Sequence, residues 1–275
     1  MNIYREYDFG PVKAWEFGFG PAWKPLMTVY MYLLDDILID TAQANMRRHV
    51  LKALDGMRPG RILLTHHHED HSGNAGAISR ARGINVYGHP MTVEKMKGAL
   101  RILPYQRILW GSAEKTDVLH IEDRIDGENH SLVPIHTPGH SKDHLAFHEK
   151  NKGWLFSGDL YLSGRIKYFR ADESLSDTIT SLEKVLGLDF DVLYCAHNPR
   201  FAKGKEAILE KLGFLRQVEG RVRDLILKGL EDKEIINFAL EREVSIIKAF
   251  TCGNVSFENM LKSAIRDLRK QMGHR

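Results

Sequence analysis

The chain has 275 residues, of which 43% are hydrophobic and 27% charged, so it can form one large domain or a large domain with a small partner. Its formal net charge of +3 is too small to indicate a polyanion as partner, and no apolar run reaches the length of a membrane span. With only two cysteines, Cys195 and Cys252, a disulfide scaffold is excluded, and the first residues lack the pattern of an export signal. We therefore expect a cytoplasmic protein that does not enter a membrane.

The first two hundred residues alternate short apolar segments with helical ones, which is typical of layered α/β structure. Strands are predicted at 28–34, 37–41, 61–65, 84–88, 132–136, 145–148, 154–157 and 191–195, and helices at 73–82 and 174–187. Residues 91–116 differ, because Pro104 interrupts their helical pattern. This insertion is equally compatible with a lid or substrate wall and with a packing helix.

After Pro199 the pattern becomes helical, with helices predicted at 204–229, 232–241 and 256–272. We therefore place a domain boundary near residue 200, which gives domains of 1–200 and 201–275. The second of these domains carries a modest excess of basic residues. Such an excess favours a solvated helical surface over a face that binds nucleic acid, unless the charges cluster in space.

A cluster of histidines and acids follows the strand predicted at 61–65. The stretch THHHEDH contains His66, His68, Asp70 and His71, and such residues in a turn at a strand end can converge on one small volume. Imidazole and carboxylate are ligands of Zn²⁺ and similar divalent ions, and the cluster offers more ligands than one tetrahedral ion needs. Two ions are therefore indicated. Further ligands can come from the strand ends IHTPGH (135–140), LFSGD (155–159) and LYCAH (193–197).

Together, H-x-H-x-D-H, TPGH, SGD and a strand-final histidine resemble the metallo-β-lactamase fold superfamily of hydrolases, over about residues 25–200. The resemblance implies a four-layer αββα sandwich with a small C-terminal all-α, winged-helix-like domain, and a metal site at one edge between the sheets. It assigns one metal to His66, His68 and His140, the second to Asp70, His71 and His197, and a bridging position to Asp159. Asp40, in ILIDT, matches an acid that supports the histidine loop.

The chemistry that this resemblance implies is metal-assisted hydrolysis. Two divalent ions lower the pKa of a bridging water and give a hydroxide nucleophile near neutral pH, while one ion stabilises the developing oxyanion. Asp70 is suited by its type to ligate a metal and to orient the nucleophile. Zinc is the first expectation for both ions, and iron and manganese are the alternatives.

The substrate class stays open between a thioester, an ester or lactone, and a phosphodiester. A β-lactamase is disfavoured, because Asp159 stands where one major lactamase class has cysteine. TPGHSKDHLAF and the helical tail resemble the lactamase-β-like branch, some of whose members cut single-stranded RNA, although no hairpin wing follows the last helix. A glyoxalase-II-like thioesterase has a helical part of similar length, but its GHEYT-like stretch is AHNPR here.

A quorum-lactonase-like ester hydrolase is a third relative, although it usually lacks a helical tail of this size. We expect a small-molecule substrate rather than RNA. Arg170 and Arg200 are candidates to meet an anionic group of that substrate, with an ordinary surface role as the alternative for each. A non-catalytic alternative is a structural metal site with a dimerising tail, but structural zinc favours four closed ligands, often with cysteine. A homodimer is also compatible with catalysis.

The polar residues that flank the metal motifs receive other roles. His67 and Glu69 fall at the variable positions of H-x-H-x-D-H and are expected to point away from the metals. His144 is expected to support the site rather than to bind metal. His136 and Cys195 are expected to be buried structural residues.

Overall fold

Two large β-sheets face each other in the computed structural model, which describes residues 1–240 and 243–273. The first sheet contains β1 (Ile3–Phe9), β2 (Val12–Gly18), β3 (Val29–Leu34), β4 (Ile37–Ile39), β5 (Arg61–Leu63), β6 (Asn85–Gly88) and β7 (Val118–His120). These strands follow chain order across the sheet. They pair antiparallel from β1 to β4 and parallel from β4 to β7.

The second sheet contains β8 (Ile125–Asp126), β9 (Ser131–His136), β10 (Leu145–Glu149), β11 (Trp154–Gly158) and β13 (Val192–Cys195). Its spatial order is β13-β11-β10-β9-β8, and β11 and β13 run parallel. A separate short pair joins β12 (Phe169–Arg170) to β14 (Val255–Ser256). This pair ties a segment near the end of the chain to the region that follows the second sheet.

The helices lie between and after these strands. They are α1 (Arg47–Ala53), α2 (Glu69–Ser72), α3 (Ala75–Arg82), α4 (Pro90–Met96), α5 (Pro104–Leu109), α6 (Leu175–Leu186), α7 (Gly204–Leu227), α8 (Asp232–Ala239), α9 (Ser245–Phe250) and α10 (Phe257–Gln271). Ser174 and Ser256 cap α6 and α10, because their hydroxyls accept the free N–H groups of the first turn. None of the helices in the described parts of the chain combines the length and hydropathy that a membrane span requires.

Successive side chains of a strand point to opposite faces of its sheet, so they enter two different apolar clusters in turn. In β3, Met31 and Leu33 face the cluster that also contains residues of α1, α3 and α4, whereas Tyr32 and Leu34 face the second sheet. In the second sheet, Phe156 faces inward and Leu155 faces a third cluster with α6 and α7. Each sheet is therefore covered by helices on its outer face, and the predicted αββα sandwich is confirmed.

The helices after residue 200 share a hydrophobic core with the second sheet. Leu182 of α6, Leu193 of β13, Leu215 of α7 and Leu268 of α10 are all fully or almost fully buried in one cluster. The core therefore continues across residue 200. The division into domains of 1–200 and 201–275 stays a prediction.

Some local features differ from the sequence-based expectation. The hairpin of β1 and β2 was not predicted, because β1 is largely exposed and shows little hydrophobic alternation. Pro104 begins α5 instead of interrupting a helix, since the first helical position needs no backbone donor. The helix predicted at 232–241 ends at Ala239, and its predicted last residue lies outside the described residues.

Candidate metal centre

The predicted ligands follow the carboxyl ends of neighbouring strands. The turn with His66 and His68 follows β5, and the loop between β9 and β10 carries His140. Asp159 follows β11, and His197 follows β13. Because these strand ends meet at one edge of the sandwich, residues more than a hundred positions apart come into contact there.

The first group consists of three histidines whose ring nitrogens face one another. The Nε2 atom of His66 lies 2.9 Å from Nδ1 of His68, and that atom lies 3.0 Å from Nε2 of His140. Burial, followed by the neighbouring imidazoles, holds the pKa of His66 well below its ordinary value. Burial, followed by the charge of Arg170, does the same to the pKa of His68. The imidazoles of His66 and His68 are therefore kept neutral, which is the form that binds metal. Burial alone would lower the pKa of His140, but Asp159 and Glu173 raise it.

The second group consists of Asp70, His71 and His197, whose ligand atoms also lie close together. Nε2 of His197 lies 3.6 Å from Oδ2 of Asp70, and Nε2 of His71 lies 3.9 Å from the same oxygen. Burial alone would lower the pKa of His71, but the carboxylates of Asp159, Asp40 and Asp70 raise it well above its ordinary value. The surrounding carboxylates therefore favour a positive charge at this group.

Asp159 lies between the two groups and contacts both. Its Oδ1 is 3.3 Å from Nε2 of His71 and 3.2 Å from Nε2 of His197, while its Oδ2 is 3.2 Å from Nε2 of His140. Burial alone would raise the pKa of this carboxyl, but the imidazoles of His197, His71 and His140 hold it well below its ordinary value. Asp159 is thus an anion with one oxygen toward each group, as a bridging ligand requires.

The donor set fits two divalent ions. Nε2 of His71 and Oδ1 of Asp159 are buried without a hydrogen-bond partner among the described residues, although buried polar atoms are nearly always paired. Imidazole and carboxylate groups at these separations match the ligand preferences of zinc and related ions. The structure brings all seven predicted side chains together, and their individual roles as ligands stay a prediction.

The far side of several imidazoles is held by groups that fix the ring orientation. Nδ1 of His71 lies 2.7 Å from Oδ2 of Asp40, and Nδ1 of His197 lies 2.6 Å from the carbonyl oxygen of Thr28. Nδ1 of His140 lies 3.2 Å from Oε1 of Glu173. Such partners hold the proton on Nδ1 and leave Nε2 of each ring free to face the centre. Thr28 and Glu173 were missed by the sequence reading, because nothing local to either residue signals the contact.

The flanking histidines have other partners. His67 turns away to Asp143, whose Oδ1 lies 3.0 Å from its Nδ1. Nε2 of His144 accepts the backbone N–H of Asp159 at 3.0 Å, so this ring supports the site as expected. The expectation of a buried His136 was wrong: this ring is exposed and stacks on His89, because it lies at the outer end of β9.

The segment after Asp159 is fixed at three successive carbonyl groups. Lys211 of α7 donates from Nζ to the carbonyl oxygen of Leu160 at 2.6 Å, although the lysine side chain is buried among apolar residues. The Cys195 thiol donates to the carbonyl of Tyr161, and Asn198 Nδ2 donates to the carbonyl of Leu162 at 2.9 Å. Cys195 is fully buried, which confirms its structural role. Lys211 was missed by the sequence reading, since a single lysine in an amphipathic helix carries no signal.

Comparison with known proteins gives consistent results. The family model of the metallo-beta-lactamase superfamily matches residues 26–197. A hydroxyacylglutathione hydrolase of Serratia proteamaculans is 29% identical over 234 residues, which cover 79% of this chain and 81% of the relative. A beta-lactamase-like protein 2 homolog of Caenorhabditis elegans is 27% identical over 218 residues, which cover 76% of this chain and 66% of the relative.

A solved structure shows the same fold along almost the whole chain. The metallo-beta-lactamase family protein of Thermus thermophilus superposes with a TM-score of 0.66 and 21% identity, covering 94% of each chain. Family match, fold and clustered metal-binding side chains agree that this is a metal-dependent hydrolase. The chain belongs to the metallo-beta-lactamase superfamily.

Proposed function

We propose that the protein is a dinuclear metal-dependent thioesterase that hydrolyses acyl thioesters of small thiols. The observation that carries this proposal is the pair of ligand groups joined by Asp159 at the sheet edge. The thioester class is supported by the hydroxyacylglutathione hydrolases that resemble this chain over about four-fifths of their own length. Their likeness extends beyond the residues that the family model matches, so it includes part of the C-terminal helical region.

In this proposal the two groups hold one ion each. His66, His68 and His140 bind the first, Asp70, His71 and His197 bind the second, and Asp159 contacts both. When bound, two divalent ions supply a water of lowered pKa and stabilise a developing oxyanion. We propose zinc as the resident ion because imidazole nitrogens predominate, with iron and manganese as compatible replacements.

The protein's own residues orient the reacting groups. Asp40 and Thr28 keep the protons of His71 and His197 on Nδ1, away from the centre. Asp70 has the more exposed of the two central carboxylates, with 12% of its side chain accessible against 6% for Asp159. Asp70 is therefore the acid best placed to accept a hydrogen bond from an attacking water.

A single-strand endoribonuclease is the alternative within the same superfamily. That function needs a basic and accessible face for the sugar–phosphate backbone. In this chain β14 is paired with β12, and α10 packs against α6 and α7, so much of the C-terminal region is engaged by the hydrolase fold itself. A small-molecule substrate is therefore the better-supported proposal.

The test is a hydrolysis panel with zinc-loaded protein. The substrates are a glutathione thioester, an acyl lactone and a labelled single-stranded RNA, each tested with and without a chelator. Asp70→Asn is the inactive variant, and Asp55→Asn, whose side chain is 78% exposed, is its matched control. We expect thioester turnover that the chelator and Asp70→Asn abolish and that Asp55→Asn retains.

Two results contradict the proposal. Cleavage of the RNA without turnover of the thioester assigns the protein to the endoribonuclease alternative. Equal turnover in metal-free and zinc-loaded protein removes the dinuclear centre from the reaction.

A further inference from the structure

A cleft of about 280 Å³ opens directly beside the candidate metal centre. His68 forms part of its wall, so a molecule in the cleft touches the first group of ligands. The rest of its lining includes residues of the insertion between α4 and α5, together with Arg170 and Asp172. Binding sites for whole ligands typically occupy about 300–1,000 Å³. A cleft of this size lies close to the lower end of that range and suits a compact part of a substrate.

The lining of the cleft carries more positive than negative charge. Its cations are Lys95, Arg101 and Arg170, and its acids are Glu69 and Asp172. Glu69 is only 2% exposed, so its carboxyl offers little surface to a ligand. The insertion also contributes apolar side chains to the lining of the cleft. The chemistry is that of a site for a small organic anion.

Arg170 is held rigidly at the inner side of the cleft. Its Nε and Nη2 atoms lie 3.0 and 3.3 Å from the two carboxylate oxygens of Asp172, while no described residue bonds Nη1. Only 20% of its side chain is exposed, and its charge lowers the pKa of nearby His68 after the effect of burial. A guanidinium in this position can bind a second anion through its remaining free edge.

The C-terminal region keeps Arg170 in place. Arg170 pairs with Val255 in the β12–β14 ladder, and the amide of Asn259 donates to the carbonyl oxygen of Phe169 at 3.2 Å. Across the cleft, the Tyr105 hydroxyl of α5 donates to Oδ1 of Asn254 at 2.6 Å. The helix α5 that follows the insertion and the C-terminal segment that holds Arg170 are thus linked directly.

Arg200, the other candidate for an anionic group, lies elsewhere. Its guanidinium sits over the ring of Tyr161 at 5.9 Å from the centroid, and the residue is exposed and absent from the lining of the cleft. The structure therefore separates two arginines that the sequence leaves equivalent. Arg200 also provides a natural control for Arg170.

We propose that this cleft binds the acyl half of the substrate and selects an acyl group that carries its own carboxylate, with Arg170 as the residue that recognises the charge. The proposal rests on the proposed thioesterase function. The acyl half is chosen because a short dicarboxylic acyl group is compact enough for a cleft of about 280 Å³ whose lining contains both His68 of the metal centre and Arg170. The favoured substrates are monothioesters of short dicarboxylic acids.

The test compares succinyl and butyryl thioesters of two thiols, anionic glutathione and neutral N-acetylcysteamine. For both thiols we expect kcat/KM to favour succinyl by about tenfold or more, which corresponds to about 1.4 kcal/mol. Arg170→Met is expected to abolish this preference, Arg170→Lys to restore part of it, and Arg200→Met to leave it unchanged. A preference that follows the thiol instead of the acyl group overturns the proposal, as does a succinyl preference that survives in Arg170→Met.

A binding measurement keeps this result independent of turnover. Zinc-loaded wild-type protein is titrated with succinate, the product of the favoured reaction, and Arg170→Met is titrated in parallel. Succinate binding that is weakened about tenfold in Arg170→Met supports the subsite even if no thioester is hydrolysed, in which case only the thioesterase function fails. Equal succinate binding by the two proteins, or none by the wild type, overturns the subsite.

Discussion

The substitution Asp40→Asn tests whether groups behind the ligands determine metal binding. Asp40 is buried, and its carboxylate lies 2.7 Å from Nδ1 of His71. The same carboxylate accepts the backbone N–H of Thr65 at 2.8 Å and its hydroxyl at 2.8 Å. The backbone at Asp40 is left-handed, with a φ of 58°. Asparagine tolerates that conformation and has the same shape, so the variant changes hydrogen bonding rather than packing.

An amide at position 40 cannot accept from both neighbours. If its oxygen keeps the N–H of Thr65, its NH₂ group faces Nδ1 of His71, which must then accept and place its own proton on Nε2. That proton occupies the atom that points to the centre. If the amide is reversed, the buried N–H of Thr65 loses its acceptor at a cost of about 1–3 kcal/mol.

The first arrangement puts a proton on the ligand atom of His71, and the second replaces its carboxylate acceptor by a weaker, neutral one. Both weaken the binding of the ion that His71 would hold and leave the other ion unaffected to first order. Loss of such a supporting partner typically lowers metal affinity or activity about 10- to 100-fold. The assay is a competitive chelator titration with zinc, which resolves the two binding steps, followed by kcat on a thioester. We expect one step to weaken by this factor while the other changes less than about threefold. Asp55→Asn is the control for the loss of a carboxylate at an exposed position. Two unchanged binding steps would refute the tautomer argument.

Three further predictions concern other parts of the centre. Replacing Lys211 by methionine keeps the buried volume but removes the donor to the carbonyl of Leu160. We expect kcat and zinc affinity to fall several-fold while the thermal midpoint changes by only a few degrees, and an unchanged zinc affinity contradicts a positioning role for Lys211. Burial raises the pKa of the Cys195 thiol to about 11, whereas Cys252 is exposed. At pH 8 an alkylating reagent should therefore modify only Cys252 in the native protein and both thiols after unfolding, as counted from the intact mass. Burial alone would lower the pKa of His197, but Asp159 raises it above its ordinary value, so a proton competes with metal at this ring. Zinc affinity, measured by calorimetry, should therefore increase with pH until this raised pKa is passed, and a zinc affinity that does not change with pH contradicts the prediction.

The clustering of the candidate ligands was predictable from sequence because each of them sits in a short motif at a strand end. The turn after β5 places His66, His68, Asp70 and His71 within one stretch, and the other ligands follow strands of their own. The layered fold was predictable for a related reason, since the strands of its interior are short apolar runs. What supports the site was not predictable. The ring of His197 is held by a carbonyl 169 positions away, and the segment after Asp159 is held by Lys211 of α7, so only the tertiary fold reveals these contacts.

Other failures have an equally local explanation. The strand β1 lies at the edge of its sheet with most of its side chains in solvent, so no alternation marks it. The β12–β14 pair contains two residues on each side and leaves no periodic pattern at all. This pair nevertheless holds Arg170, so the residue that we propose for substrate selection depends on features too short for sequence reasoning.

The three facing ring nitrogens of the first group have a consequence for the metal-free protein. If Nδ1 of His68 accepts from both neighbouring rings, His140 must carry a second proton or turn a lone pair toward Glu173; if Nδ1 of His68 donates, one N–H is shared by two acceptors. The cluster is therefore locally frustrated until a cation enters. We expect the turn between β5 and α3 to be the first part of the sandwich to exchange its amide hydrogens when metal is scarce. A cell short of the metal that this centre would bind would then lose this hydrolase through local opening and proteolysis as well as through missing catalysis.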